Sequence, residues 1–521
     1  MKSLHSVGIG LGAGIFASLA FGFAACSSSD DVNPTDGAAP NDTSAQNDTS
    51  APNDNSIPSP DTGSTIDGGP GDSSVADAQM TPVSIVVNRG TTFARIAPGF
   101  AGFSYEKSHL IDGFFRASNA PLINLFKLLG PGGLLRVGGN SGDRDDWVPD
   151  GGVDLNDAGA QKGISQANVD NLAAFAKAAE WQVLYLVNLK ISTPEIAAEE
   201  ASYAAAQLGS SLSGFEIGNE PDLYGSTVPN WDGGAYRAKW DSFAAAIRTA
   251  VPSAPLTGPA SAGNYTTWTI PFAKDEKAQI DLVTQHYYRG NGQLDSSTLD
   301  LLLAPQPSLI TELQALAKGT TDNAIPKRYR LAEANSFYNG GRDGVSDAYG
   351  TALWVLDFLF TNARYGSSGV NFHGGGNGNG YTPIGDADGG VVSARPEFYG
   401  MLLFSRAGAG TMYDTTVAGT TINFTAYSIG QADGSTNIVV VNKDATTSVH
   451  ATVDVGQAVT SADVMRLEGP ALEATSGVTF GGAGITSTGS WAPNAPAQLY
   501  AYGNTVTVDV PPASAALVRA K

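Results

Sequence analysis

The sequence predicts a (β/α)8 TIM barrel followed by a C-terminal β-sandwich domain. Short apolar runs that end in polar or glycine-rich loops alternate with helix-like stretches through the middle of the chain, which is typical of a parallel barrel. Past Arg406 the helical pattern stops and short β segments follow. At 521 residues the chain is too long for one ordinary domain, and its apolar content of 42% is ample for a large core.

The N-terminus resembles a bacterial lipoprotein signal over residues 1–26. A positive start precedes the apolar stretch Val7–Phe23, which is too short and too rich in glycine for a good membrane span, and small residues then lead to Cys26. The resemblance implies that Cys26 becomes the first mature residue and carries a lipid, so that the protein is exported and anchored to the cell envelope, with the outer membrane favoured. Phe23 stands where leucine is usual, and a plain secretory peptide is the alternative. Cys26 is the single cysteine, so no disulfide forms within a monomer.

Residues 27–80 are predicted to be a disordered, acidic tether. Short Ser, Asn, Asp and Pro units repeat between Ala39 and Asn55 with almost no apolar residue, so burial cannot offset the entropy of ordering them. The stretch Ser27–Gln79 holds ten of the aspartates and no Lys or Arg, so it carries much of the formal charge of −21. The folded part is therefore only moderately acidic. Because the sequence has no basic stripe, no nucleic-acid partner is predicted.

The barrel is predicted over residues 97–406, where eight strand-like runs occur. Between them lie helix-like stretches such as Val169–Ala179, Tyr236–Ala250 and Ala348–Thr361. The eight runs are Phe100–Glu106, Leu134–Gly139, Gln182–Leu189, Ser213–Glu220, Ala254–Ser261, Leu282–Tyr288, Arg328–Asn335 and Ser368–Gly375.

The β-sandwich is predicted over residues 407–521, and residues 81–96 are expected to add a strand to it, through Val83–Asn88. A separate carbohydrate-binding module is the competing interpretation, but no flexible linker separates this region from the barrel. The predicted C-terminal strands are Thr421–Tyr427, Thr436–Asn442, His450–Val455, Ala462–Leu467 and Thr505–Val510.

Two glutamates end predicted barrel strands. Glu220 closes the fourth strand within Asn219-Glu-Pro-Asp222, and Glu333 closes the seventh. The carboxyl ends of all eight strands of such a barrel form one rim, so both carboxylates should face the same site. A pair of carboxylates is the minimal equipment for hydrolysing a glycosidic bond, and chance placement of common glutamates is the alternative. The five histidines are scattered at no metal-ligand spacing, so neither a metal nor another cofactor is predicted.

Six segments together resemble glycoside hydrolase family 79, which contains β-glucuronidases and heparanases and belongs to clan A. The resemblance runs from about Val83 to the C-terminus and implies a retaining mechanism, with Glu220 as acid/base and Glu333 as nucleophile. The segments are Phe100–Leu110, Leu135–Ser141, Gly218–Asp222, Ala332–Ser336, Gly344–Trp354 and Val370–Gly375.

The resemblance also suggests the residues around the two glutamates. Tyr288 is similar in position to the clan tyrosine that donates to the nucleophile, and Asn219 would contact the sugar 2-hydroxyl. Both could instead be rim residues that pack the barrel mouth. Glu106 and Asn140, at the ends of strands one and two, are expected to bind sugar hydroxyls. Arg136, inside strand two, is expected to support the carboxylates.

A uronate carboxylate would be bound by tyrosine hydroxyls and loop N–H groups, according to the same resemblance. Tyr338 and Tyr381 stand at the corresponding positions, and the glycine-rich loop Gly374–Gly380 could present backbone N–H groups. A flexible solvent loop with an ordinary surface tyrosine is the alternative.

The function predicted is that of a retaining, exo-acting β-glucuronidase that hydrolyses β-linked glucuronic acid or 4-O-methyl-glucuronic acid. An endo-acting heparanase-like enzyme or another clan A β-glycosidase is the first alternative, although a heparanase cleft should be basic and this chain shows no basic cluster. A non-catalytic glycan-binding lipoprotein is the second.

Overall fold

The computed structural model describes residues 80–151, 163–375, 380–387 and 390–521. The predicted signal sequence, its Cys26 and the tether up to residue 79 lie outside the described residues, as do residues 376–379 of the glycine-rich loop. In the described part of the chain, no helix combines the length and the apolar character that crossing a membrane requires.

Eight parallel strands close into a barrel, which confirms the predicted fold class. Most of the strands are almost continuously buried, as expected where the interior of the barrel and an outer layer of helices cover their two faces. In chain order, barrel strands one to eight are Ala101–Glu106, Leu134–Gly138, Gln182–Val187, Leu212–Ile217, Leu256–Ser261, Leu282–Asn291, Tyr329–Tyr338 and Val370–Gly374.

Helices follow most of the barrel strands and begin at recognisable caps. Ser165 forms a capping box with Asn168, and the Thr193 hydroxyl accepts a hydrogen bond from the Ile196 N–H with Pro194 as the first helical residue. The α-helices are Ala120–Leu128, Gln166–Ala179, Pro194–Leu208, Gly233–Ala250, Ile270–Asp275, Leu299–Leu303, Pro307–Asp322, Gly350–Arg364 and Pro396–Ala407.

The C-terminal region forms a sheet of eleven strands, and a strand from before the barrel is built into it. Thr81–Ile96 pairs antiparallel with Gly410–Ala418 and parallel with Val449–Asp454, so both ends of the described chain share this sheet. The other strands are Phe424–Gly430, Thr436–Asn442, Ala462–Glu468, Thr479–Phe480, Ala497–Leu499, Ala501–Tyr502, Thr505–Val510 and Ser514–Ala520.

The two faces of this sheet serve different cores. Along Thr436–Asn442, Val439 and Val441 join the large core that includes the barrel and the helices Gly350–Arg364 and Pro396–Ala407, whereas Val440 joins a second core inside the sheet domain. Successive residues of a strand point to opposite faces, so one strand can supply both cores. Strands far apart in the sheet order contribute to the second core, so the sheet curls over itself. The large shared core fixes the sheet against the side of the barrel.

Candidate active site

Glu220 and Glu333 lie together at the carboxyl-end rim of the barrel. Glu333 is within barrel strand seven, and Glu220 follows barrel strand four. One carboxylate oxygen of each, together with one ring nitrogen of His286, lie within 4.8 Å of one another. Both carboxyl groups are buried, with only 7% of Glu220 and 4% of Glu333 exposed.

The backbone turns sharply to present Glu220. Gly218 has φ +87°, and a Cβ there would lie 3.0 Å from Leu189 and 3.2 Å from the Tyr224 hydroxyl. Glu220 itself is left-handed, with φ 45°, which is uncommon for a residue with a side chain and is maintained only where the surroundings fix it. Its N–H donates to the Ala260 carbonyl at 2.9 Å.

Arg136 links the strands that carry the two glutamates. From barrel strand two its guanidinium donates to Glu333 Oε2 at 2.5 Å, to Glu216 Oε2 at 2.6 Å and to Asn219 Oδ1 at 2.8 Å. Arg136 is fully buried, and a buried charge needs a partner. The carboxylates of Glu216 and Glu333 compensate it. The expectation that Arg136 supports the carboxylates agrees with these contacts.

Glu333 is held as a carboxylate. Burial by itself would raise its pKa, but the neighbouring cations His373 and Arg136 and a hydrogen bond from Tyr288 outweigh burial and hold the pKa well below its usual range. The Tyr288 hydroxyl donates to Glu333 Oε1 at 2.8 Å, and His373 Nδ1 is 3.7 Å from Oε2. The charges of Glu333 and Glu106 in turn raise the pKa of His373, although burial opposes this, so its cationic form is favoured.

The pKa of Glu220 is shifted in the opposite direction from that of Glu333. Burial, followed by the negative charges of Glu333 and Asp222, raises its pKa well above the usual range for a glutamate. His286 Nδ1 lies 3.0 Å from Glu220 Oε1, and burial lowers the pKa of His286 to about 4, so this imidazole is neutral at pH 7. A neutral hydrogen-bond partner does not drive ionisation of Glu220. Two adjacent carboxyl groups are therefore prepared for different roles, one as an acid and one as an anion.

The other residues that are predicted to bind sugar hydroxyls lie at the same rim. Asn219 Nδ2 donates to Asn140 Oδ1 at 3.3 Å. Glu106 accepts hydrogen bonds from the backbone N–H groups of Asn140 at 3.1 Å and Ser141 at 2.6 Å, so its carboxylate already orders the loop after barrel strand two. Of the Glu106 side chain, 18% remains exposed.

Tyr338 and Tyr381 flank the tyrosine that contacts Glu333. Their ring centroids lie 6.3 Å and 5.7 Å from that of Tyr288, and Tyr381 is also 5.9 Å from the His373 ring. The Tyr381 N–H donates to the Gly340 carbonyl at 3.2 Å, which links the segment of Tyr381 to the loop that follows Tyr338 at the end of barrel strand seven. The structure thus gathers three tyrosines on the Glu333 side of the cleft.

No role was predicted from the sequence for His286, His373, Glu216 or Asp143. The two histidines were considered only as metal ligands, although each lies in the last residues of a predicted strand. Asp143 accepts from the Tyr224 hydroxyl at 2.6 Å and from the Asn219 N–H at 3.2 Å, and burial raises its pKa to about 7. A strand-end position was the available signal for the histidines; no sequence signal indicated Asp143.

Glu220, His286 and Glu333 are close enough to surround a cation, but their chemistry does not favour this. Arg136 and Tyr288 already donate to both oxygens of Glu333. Metal ligands must be deprotonated, whereas the raised pKa of Glu220 favours its neutral form. The cluster fits acid–base and nucleophilic chemistry better than metal binding.

A (β/α)8 barrel with two rim carboxylates of opposite character is typical of glycoside hydrolases. Residues 426–517 match the family model described as the glycosyl hydrolase family 79 C-terminal beta domain. This match confirms the resemblance to glycoside hydrolase family 79 that the motifs predicted.

Proteins related in sequence support this resemblance. A β-glucuronidase of Aspergillus niger is 27% identical over 323 residues, which cover 54% of this chain and 58% of the relative. A heparanase of Rattus norvegicus is 26% identical over 211 residues, or 39% of each chain. The chain thus matches less than two thirds of the length of either relative.

Solved structures show the same fold. A 4-O-α-L-rhamnosyl-β-D-glucuronidase from Fusarium oxysporum superposes with a TM-score of 0.69 at 20% identity, covering 84% of this chain and 99% of that one. A family 51 α-L-arabinofuranosidase from Bifidobacterium longum superposes with a TM-score of 0.63 at 17% identity, covering 85% of this chain and 100% of that one. At these identities the likeness concerns the architecture alone.

Proposed function

We propose that this protein is a retaining, exo-acting β-glucuronidase that hydrolyses β-linked glucuronic acid or its 4-O-methyl derivative. The observation that carries the proposal is the pair of Glu220 and Glu333, which have carboxylate oxygens within 4.8 Å and pKa values shifted in opposite directions. Carboxyl groups of retaining glycosidases are about 5 Å apart, whereas inverting enzymes separate theirs by roughly 6.5–9.5 Å to admit a water molecule. The short separation favours double displacement.

In the first displacement, Glu333 attacks the anomeric carbon and forms a glycosyl ester while the bond to the leaving-group oxygen breaks. Glu220 donates its proton to that oxygen, so the aglycone departs as a neutral alcohol. Esterification then removes the negative charge of Glu333, which is one cause of the raised pKa of Glu220. Glu220 becomes a better base for the second step.

In the second displacement, Glu220 takes a proton from water as the water oxygen attacks the anomeric carbon. The ester bond to Glu333 breaks, releasing the sugar with its original anomeric configuration and restoring both carboxyl groups to their starting states. Arg136 and Tyr288 stabilise the carboxylate of Glu333 at the start and as it leaves.

The uronate carboxylate would be bound by Tyr338 and Tyr381. Both rings pack around Tyr288 beside Glu333, and both residues are only partly buried. A phenol donates a hydrogen bond to a carboxylate without adding a charge that would perturb Glu333. The names of the related β-glucuronidases support a glucuronide substrate.

The acidic chain with a formal charge of −21 suits short or uncharged glucuronides better than sulfated polysaccharides, which a basic cleft would attract. We also propose that the lipid on Cys26 anchors the enzyme to the cell envelope, with residues 27–80 as a spacer that leaves the barrel free to reach substrate.

Initial rates on a panel of 4-nitrophenyl glycosides test this function. We expect hydrolysis of the β-glucuronide to exceed that of the β-glucoside, β-galactoside and α-arabinofuranoside, with retention of configuration in the released sugar. A preference for an uncharged hexoside or pentoside would leave only a general β-glycosidase. Cleavage of heparan sulfate within the chain would favour the endo-acting alternative, and glycan binding without turnover would favour the non-catalytic one.

A further inference from the structure

One open cavity of the barrel rim extends from Glu220 away from the catalytic pair. It has an empty volume of about 810 Å³, including its solvent-facing mouth. Glu220, Tyr287 and Glu312 line it, and Tyr288 and Tyr338 border it as well, but Glu333 itself does not line it. In the proposed mechanism the acid contacts the leaving-group oxygen and the nucleophile attacks the opposite face of the sugar. A cavity bounded by Glu220 alone of the two therefore lies on the side of the leaving group.

The splaying of two barrel strands allows this cavity to form. Barrel strands five and six pair as far as Ser261 and Gln285, after which residues Ala262–Asn264 leave the barrel while strand six continues to Asn291. Ala262–Asn264 line the cavity, as does Glu312 from the helix Pro307–Asp322. The cavity thus reaches from the catalytic acid to the inner side of a barrel helix.

Glu312 is an unusual residue for that position. It shares the buried side of its helix with Leu309, Leu313 and Leu316, and only 8% of it is exposed. Among the described residues, its Oε1 atom has no hydrogen-bond partner. Burial raises the pKa of Glu312 to about 8, so the carboxyl is mainly neutral at pH 7. Leaving such a group unsatisfied costs about 1–3 kcal/mol, which a ligand hydroxyl could recover.

We propose that Glu312 is a specificity-determining residue of the aglycone subsite and that its carboxyl hydrogen-bonds a hydroxyl of a sugar-like leaving group. The walls of the cavity fit such a ligand, because Leu223 and Tyr287 supply apolar surface while Asn264 and Glu312 supply polar groups. A sugar has both apolar faces and hydroxyl edges, and a site with a buried polar group discriminates against ligands that leave it unpaired. This inference rests on the proposed glycosidase function.

The test compares two glucuronides in wild type, Glu312→Leu and Glu312→Gln. The substrates are a β-glucuronosyl disaccharide with a neutral sugar at the leaving position and phenyl β-glucuronide, whose aglycone has no hydroxyl beyond the scissile oxygen. We expect Glu312→Leu to lower kcat/KM for the disaccharide about tenfold to a hundredfold, while kcat/KM for phenyl glucuronide changes less than about threefold. Glu312→Gln, which keeps a donor and an acceptor, should retain most disaccharide activity.

Thermal unfolding provides a readout that a structural role would not produce. Replacing an unpaired buried carboxyl by leucine should leave the melting temperature unchanged or raise it, even as disaccharide hydrolysis falls. Glu276→Leu is the matched control, since Glu276 is equally buried at 7% exposure but does not line the cavity, and it should not alter the substrate ratio. Glu312→Met serves as the apolar variant if the leucine variant does not fold.

The outcomes separate this inference from the function on which it rests. If wild type hydrolyses neither glucuronide, the proposed function fails. If wild type hydrolyses both and an apolar substitution of Glu312 changes their kcat/KM values equally, or changes neither, the role of Glu312 is overturned while the glucuronidase proposal stands.

Discussion

Replacing Glu220 by alanine should separate substrates according to the leaving group they release. Only 7% of Glu220 is exposed, and burial and the charge of Glu333 raise the pKa of its carboxyl well above the usual range, which favours the protonated form. Its proton is needed only when the departing oxygen is strongly basic. A 2,4-dinitrophenolate leaves readily without a proton, whereas a sugar alkoxide does not.

The expected magnitude follows from the contribution of general acid catalysis, which is about 10²–10⁴-fold. For a disaccharide, the first displacement should slow by that full factor, equivalent to roughly 3–5 kcal/mol at 1.36 kcal/mol per tenfold change. For 2,4-dinitrophenyl glucuronide, kcat/KM should fall less than about tenfold, because this parameter reports formation of the glycosyl ester. Its kcat should fall further, because Glu220 is also the base of the second step.

The assay is a plot of log kcat/KM against leaving-group pKa for a series of aryl glucuronides. Wild type should give a shallow slope and Glu220→Ala a steep one, and wild-type kcat/KM should decline as pH rises through the raised pKa of Glu220. Glu180→Gln is the matched control, since it removes an exposed carboxylate that lies just before barrel strand three, at the far end of the barrel. Parallel plots for wild type and Glu220→Ala would refute the assignment of the acid.

Three further outcomes are expected. Glu333→Gln should abolish turnover and, by removing the neighbouring negative charge, lower the pKa of Glu220. If the titration of the Glu220 carboxyl, monitored by infrared spectroscopy, is the same in wild type and variant, the coupling of the pair is contradicted. Tyr338→Phe and Tyr381→Phe should each lower the glucuronide-to-glucoside ratio of kcat/KM roughly tenfold to a hundredfold, since a charged acceptor loses a donor worth about 1.5–3 kcal/mol; a wild-type ratio in both variants would exclude them as uronate ligands. Cys26→Ser should release the protein from the membrane fraction with its specific activity intact, and continued retention there would argue against a lipid anchor.

The barrel could be predicted because its signals are local in sequence. The predicted strand Leu134–Gly139 and the helix-like stretch Val169–Ala179 lie within a few residues of the observed Leu134–Gly138 and Gln166–Ala179. A parallel barrel places all strand ends on one rim, so the strand-end positions of Glu220 and Glu333 were enough to predict that they meet. Their assigned roles, and those of the predicted sugar-binding residues, stay predictions for the experiments above.

The C-terminal sheet was predicted less completely. The strands Thr436–Asn442 and Thr505–Val510 have the predicted bounds, but Gly410–Ala418 and Ser514–Ala520 were not recognised. Pairing partners in a sheet are decided by which strands come together after folding. The parallel pairing of residues 81–86 with 449–454 joins segments separated by the whole barrel, and no local pattern encodes that register.

The protonation states at the site were decided by tertiary structure. Arg136 and Glu333 are 197 residues apart, and only closure of the barrel brings the guanidinium against the carboxylate. A strand-end position was the one sequence signal for His286 and His373, and no sequence signal indicated Glu312. The sequence determined which residue types stand at the rim, because strand periodicity is a property of neighbouring residues. The folded chain decided which carboxyl is an acid and which is an anion, because a pKa depends on burial and on charges a few ångströms away.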